Sequence, residues 1–103
     1  MEKLMFRFPA TKKVQSNAHV GVVGSGDLEI LMEPSELAYA EVFVRTGTTG
    51  FKETWNAVLE RFFSQHDFSA IVKINDFGAT PGVVTLRLSQ ALEVANDVRY
   101  IKK

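Results

Sequence analysis

The chain has 103 residues, enough for one domain around one core. Twelve Lys and Arg balance twelve Asp and Glu, which argues against a nucleic-acid binder, normally rich in basic residues, and against docking on an anionic membrane surface. With no cysteine, disulfides, thiolate catalysis and Cys-based metal sites are excluded, and His19 and His66 lack the spacing of a helical metal pair.

The start of the chain alternates apolar and charged residues and has no long apolar run or small-residue cleavage site, so it does not read as a signal peptide. No segment reaches the roughly 18 apolar residues that span a bilayer, and the expected location is the cytoplasm. Leu4, Phe6 and Phe8 alternate with Lys3, Met5 and Arg7, predicting a strand with one buried face that Pro9 ends. Residues 10–17 are polar and aperiodic and read as an exposed loop.

Two apolar runs then flank Gly24-Ser25-Gly26. A two-residue hairpin loop, Ser25-Gly26, would set Val22 beside Glu29 and Val20 beside Leu31, mixing the faces. A three-residue loop, Gly24-Ser25-Gly26, sets Val22 opposite Leu28, Val20 opposite Ile30 and Ala18 opposite Met32. Directly opposed residues share a face, so the second register makes one face uniformly apolar and is preferred. Such loops commonly need a left-handed third residue, and Gly26 adopts that conformation without steric cost. Ser25 is then the apex of the hairpin.

Glu33-Pro34-Ser35-Glu36 signals a turn, and residues 39–46, rich in β-branched and aromatic types, predict a strand. Gly47-Thr48-Thr49-Gly50 breaks it and offers a threonine or glycine N-cap. Phe51, Trp55, Val58, Leu59, Phe62 and Phe63 fall on one face of an amphipathic helix, which Ser64-Gln65-His66-Asp67 closes. Core packing accounts for that aromatic stripe better than a cofactor pocket. Ala70, Val72 and Ile74 alternate with Ile71, Lys73 and Asn75 in a fifth strand. After the turn Asp76-Phe77-Gly78-Ala79, Thr80-Pro81 reads as an N-cap followed by a first-turn proline. A second helix runs to about Ala95 with Val84, Leu88, Ala91, Leu92 and Ala95 on one face. The tail from Asn96 is ambiguous, and Arg99, Lys102 and Lys103 make it basic. Several antiparallel strands before a helix, a strand and a helix indicate an α+β fold. The expectation is a single domain over 1–103, a five-stranded, mainly antiparallel sheet with two helices packed on one face.

Chemistry concentrates at Ser25. No Gly-Lys-Ser/Thr follows the glycines, so the phosphate-binding loop pattern fails. A strand follows Gly26 where a dinucleotide fingerprint needs a helix. Serine hydrolysis lacks the Gly-x-Ser-x-Gly frame. The only nearby base, His19, lies six residues back along a strand rising ~3.3 Å per residue. Two readings stay open on residue types. Gly24-Ser25-Gly26 is simply a good hairpin turn, or Ser25 is a handle that a modifying enzyme approaches between two bare glycines while Asp27 orients the loop through backbone N–H groups. The start of the second helix could attract a phosphate, although an N-cap and turn explain the same residues.

Gly21-Val22-Val23-Gly24-Ser25-Gly26-Asp27-Leu28-Glu29 closely resembles the acyl-carrier (delta) subunit family of bacterial malonate decarboxylase. Asp76-Phe77-Gly78-Ala79-Thr80-Pro81-Gly82-Val83-Val84 resembles that family's second signature, and Leu59-Glu60-Arg61-Phe62-Phe63 looks similar as well. The length also fits; residues 10–17 carry no matching signature, and the citrate lyase carrier is a more distant relative in kind. The resemblance implies that Ser25 carries 2'-(5''-phosphoribosyl)-3'-dephospho-CoA through a phosphodiester, with Gly24, Gly26 and Asp27 supporting the loop. It further implies acetyl and malonyl held as thioesters, no catalysis by the carrier itself, and three kinds of partner: acyl-transferase and decarboxylase subunits and a prosthetic-group transferase. Fatty-acid carriers differ, being acidic helical bundles with an Asp-Ser-Leu motif at a helix start. The exposed loop, together with the nearby basic tail or the start of the second helix, is the expected partner-contacting surface. The alternative is a structural or regulatory interaction subunit with Ser25 unmodified.

Overall fold

A computed structural model describes residues 1–97. The strands are β1 (Glu2–Pro9), β2 (Ala18–Gly21), β3 (Leu28–Pro34), β4 (Tyr39–Thr46) and β5 (Ala70–Asp76); the helices are α1 (Lys52–Gln65) and α2 (Pro81–Asn96). They form one five-stranded sheet in the order β1-β4-β5-β3-β2. Every pairing is antiparallel except β4 with β5, which the α1 crossover makes parallel. The α+β expectation therefore holds. The strands are not laid down as a meander, however: among strands consecutive in the chain, only β2 and β3, and β4 and β5 through α1, are neighbours in the sheet.

Period-two alternation gives the sheet one buried face. Leu28, Ile30 and Met32 of β3, Ala40, Val42 and Val44 of β4, and Ala70, Val72 and Ile74 of β5 are all buried. Both helices cover that face. α2 packs on β2 and β3 through Val84, Leu88, Ala91 and Ala95, and α1 lies toward β1 through Trp55, Leu59, Phe62 and Phe63. Where α1 ends, Phe8 stacks on Phe63 at 4.8 Å and Phe68 packs against Phe62 and Phe63. A cluster of four phenylalanines thus fills the end of the core far from residue 25, because β1 and α1 both finish there.

Three local expectations are corrected. Phe51, expected on the buried stripe of α1, is half exposed. Phe51 is also the N-cap of α1, with no side-chain cap, because its ring carries no acceptor, and the Thr48 hydroxyl is engaged with Thr46 at 3.1 Å. Residues 10–17 are not simply exposed. Val14 is buried, and the Gln15 and Ser16 amides donate to the Ala95 carbonyl, occupying an acceptor that the end of α2 leaves free. Thr11 further binds Asp67 through its amide and hydroxyl. The Thr80 cap of α2 is as expected, its hydroxyl accepting from the Val83 amide at 3.3 Å. The basic tail with Arg99, Lys102 and Lys103 lies outside the described residues.

Candidate functional site

The β2–β3 register is Ala18↔Met32, His19↔Leu31, Val20↔Ile30 and Gly21↔Glu29, as the apolar faces require. The connection is longer than three residues. β2 stops at Gly21, whose φ of +82° lies in the left-handed region. A Cβ there would fall 2.0 Å from the Leu28 carbonyl oxygen, so only glycine brings the two chains this close. The left-handed turn lifts the chain off the sheet. Val22, expected to be buried opposite Leu28, is consequently exposed together with Val23, each at 61%.

The tip is a four-residue turn closed by the Asp27 amide donating to the Gly24 carbonyl at 3.1 Å. Gly26 supplies φ +78° at its third position, and Ser25 is not left-handed, which is the pattern of a type II turn. Ser25 is exposed at the second position of this turn and is not the centre of a three-residue loop. A Cβ on Gly26 would meet nothing within 4 Å, and one on Gly24 only the Val22 side chain at 3.8 Å. The serine hydroxyl therefore stands in open space on both flanks.

The outgoing arm of the turn is fixed from below. The Gly26 amide donates to the Phe77 carbonyl at 2.7 Å, and the Phe77 amide donates back to the Asp27 carbonyl at 3.0 Å. The loop that provides these groups, residues 77–80, is itself held by Asp76. That buried carboxylate accepts from the Thr46 hydroxyl at 2.8 Å and the Ala79 amide at 2.9 Å. The two motifs singled out in the sequence, 21–29 and 76–84, are thus one structure joined by backbone hydrogen bonds.

Asp27 does orient this region, through an additional partner. Its Oδ1 accepts from the Leu28 amide at 2.7 Å and from Arg87 Nε at 3.1 Å, and its Oδ2 accepts from Arg87 Nη2 at 2.7 Å. This bidentate pair ties the turn to α2. The Arg87 hydrogen bonds, then the Leu28 amide, hold the Asp27 carboxyl below the usual aspartate range, and Asp27 in turn raises Arg87. Arg87 Nη1 is further braced by Gln90 at 3.0 Å. Sequence reasoning passed over Arg87. Its only signal was being the sole cation on α2, and nothing local names a partner 60 residues away.

His19 bonds Glu29 at 2.8 Å on the sheet face away from the helices, and Glu29 also accepts from Asn75 at 2.9 Å. His66 packs on Phe62 at 4.3 Å between centroids. Among the described residues no cluster of His, Cys, Asp and Glu could hold a metal ion, and no helix is long and apolar enough to cross a membrane.

At the same end of the molecule a groove of about 400 Å³ opens between the starts of α1 and α2, with Trp55, Val58, Gly78, Ala79 and Val84 among its walls.

A family model described as malonate decarboxylase delta subunit (MdcD) matches residues 15–95. The chain is 48% identical over 99 residues to a malonate decarboxylase acyl carrier protein of Azotobacter vinelandii, covering 95% of this chain and all of that one. A protein of the same name from Stutzerimonas stutzeri is 47% identical over 94 residues, 90% of this chain and 95% of that one. Among solved structures, a chain in the crystal structure of a Pseudomonas malonate decarboxylase hetero-tetramer in complex with malonate matches with TM-score 0.88. It is 44% identical, and the match covers 92% of this chain and 99% of that one.

Proposed function

The chain belongs to the malonate decarboxylase delta-subunit family, and from that premise we propose that it is the acyl carrier subunit of a malonate decarboxylase, loaded at Ser25. In this reading residues 1–103 act as one carrier domain. Ser25 Oγ holds 2'-(5''-phosphoribosyl)-3'-dephospho-CoA as a phosphodiester, and the group's thiol supplies the thioester chemistry for acetyl and malonyl. The chain contributes no cysteine of its own. It offers a post, and its partners perform the reactions. Those partners are the acyl-transferase and decarboxylase subunits and the transferase that attaches the group.

The observation that carries the reading is the open, braced turn. The Ser25 hydroxyl is exposed between two residues without side chains, so an attaching active site can close around it and a bulky group can remain there. Gly24 and Gly26 leave the approach free, and the Phe77 backbone keeps the turn from collapsing onto the sheet. Asp27 would set a negative charge near a phosphodiester, but Arg87 already neutralises it through two hydrogen bonds. No side chain of this chain is assigned a proton-transfer role, because His19 is turned to Glu29 and His66 to Phe62. Covalent tethering then raises the effective concentration of cargo at successive sites, which is the whole of the carrier's contribution to rate.

Intact-mass measurement of protein purified from a host that attaches the group tests this. The expected result is an increment equal to the phosphoribosyl-dephospho-CoA group, mapped to Ser25 and absent from Ser25→Ala. Unmodified protein that still supports full decarboxylase activity would instead establish a structural subunit.

A further inference from the structure

The groove between α1 and α2 has no part in attaching a group to Ser25, yet it begins at the loop that braces the Ser25 turn. Gly78 is one of its walls. A Cβ on Gly78 would sit 3.8 Å from the Gly26 amide nitrogen, and the preceding residue, Phe77, is the one bonded to Gly26 and Asp27. Groove and turn therefore share one rigid loop. The crevice lies beyond the carboxyl ends of the parallel pair β4 and β5, next to Thr48, Asp76 and Gly78. It lies where the starts of α1 and α2 diverge, α1 sitting toward β1 and α2 over β2 and β3, above the buried ends of the central strands at Thr46 and Asp76. Its volume, about 400 Å³, is that of a small-molecule site.

The lining has a definite chemical character. Trp55, Val58, Ala79, Pro81 and Val84 make it apolar, and Phe51 stands half exposed at its edge. Its one charged wall among the described residues, the Asp76 carboxylate, is already engaged by Thr46 and Ala79. Among the described residues no Lys or Arg lines it. A neutral acyl thioester gains contact there, whereas a free carboxylate would lose hydration without finding a cation and would face Asp76.

Resting on the carrier reading above, we propose that this groove is a docking slot for the thioester end of the arm on Ser25, and that it accepts the acetyl form and rejects the malonyl form. Tethering makes weak affinity sufficient, since a short flexible link supplies millimolar effective concentration. Exchange of acetyl for malonyl on a partner then also releases the arm from its own carrier, leaving the malonyl group free for the decarboxylating subunit.

Trp55 is the only tryptophan in the chain and lies in the groove wall, so its emission reports occupancy. Protein purified from a host that attaches the arm is checked by intact mass and prepared in thiol, acetyl and malonyl forms. The acetyl form should shift Trp55 emission and the amide resonances of Val58 and Ala79 relative to unmodified protein, and the malonyl form should shift neither. Cleavage of the acetyl thioester by hydroxylamine should be about fivefold slower than in variants with a filled groove, the protection expected where the effective concentration is about four times the slot's own dissociation constant. Ala79→Phe fills the groove from the loop. Thr54→Phe fills it from the solvent side of α1 and serves where the first variant does not fold. If mass shows no arm on Ser25, the carrier reading and this slot fall together. An arm present on Ser25 with Trp55 and the groove amides unmoved in the acetyl form overturns the slot alone, and equal shifts for acetyl and malonyl overturn its selectivity.

Discussion

Asp27 and Arg87 illustrate how a single ion pair shapes the candidate site. Both side chains are partly open to solvent, at 19% and 27%, so the contribution of the pair to stability is modest and its value is positional. The folded carboxyl titrates below its ordinary value. Stabilisation by the pair is therefore complete above the ordinary aspartate pKa and disappears as pH falls through the lowered one. Arg87→Met should move Asp27 up toward the ordinary range, with the Leu28 amide still holding it down, measurable as a higher midpoint in a carbon-detected NMR titration of its carboxyl. The same variant should increase picosecond-to-nanosecond motion at Gly24, Ser25 and Gly26 while leaving the core amides unchanged. Unaltered order parameters in that turn would assign Arg87 no positioning role. The short-range half of this geometry was legible in the sequence: a small acidic residue just after a glycine turn bonds a neighbouring amide. The guanidinium was not, since local spacing cannot report a partner brought in by the packing of α2.

At the scale of elements, the strand periods, the Thr80-Pro81 start of α2 and the closure of α1 at residues 64–67 were readable, because each depends on neighbours in sequence. The fate of Val22 was not. Alternation alone continues β2 past Gly21, and only the left-handed φ there, together with the approach of the Leu28 carbonyl, ends the strand. Two glycine variants separate close packing from conformational preference. Gly21→Ala should destabilise the fold by about 3 kcal/mol or more in urea unfolding, combining backbone strain with a clash against main chain. Gly26→Ala meets open space and should cost only about 1–2 kcal/mol, the penalty of a left-handed non-glycine residue. Equal losses would mean that the contact with Leu28 relaxes freely. Phe51 shows the same limit for helices: it fits the apolar period of α1 but precedes the helix as its cap, where the period no longer fixes direction.

For the whole molecule, composition and element order led to an α+β sheet with helices on one face, but not to the order β1-β4-β5-β3-β2. Strand order follows from which long-range pairings bury the most surface, a competition that alternation within each strand does not describe. It also divides labour between the two ends, with a phenylalanine cluster packed where α1 ends and glycines, threonines and the exposed serine gathered where it begins. Leu59, fully buried in the core, allows these roles to be separated. Leu59→Ala should lower unfolding free energy by about 2–5 kcal/mol. The folded fraction should still be modified at Ser25 at low temperature, as read by intact mass; loss of modification in protein shown to be folded would tie core packing to the site. The backbone bonds from Gly26 to Phe77 and from Phe77 to Asp27 finally bear on how a larger assembly can be laid out. On the proposed attachment they would give a tether on Ser25 a fixed origin, adjoining the central strand β5, so that it would sweep a sphere whose centre does not wander. Any two active sites served by one such carrier must then both fall within a single radius of that point, whatever path the arm takes between them.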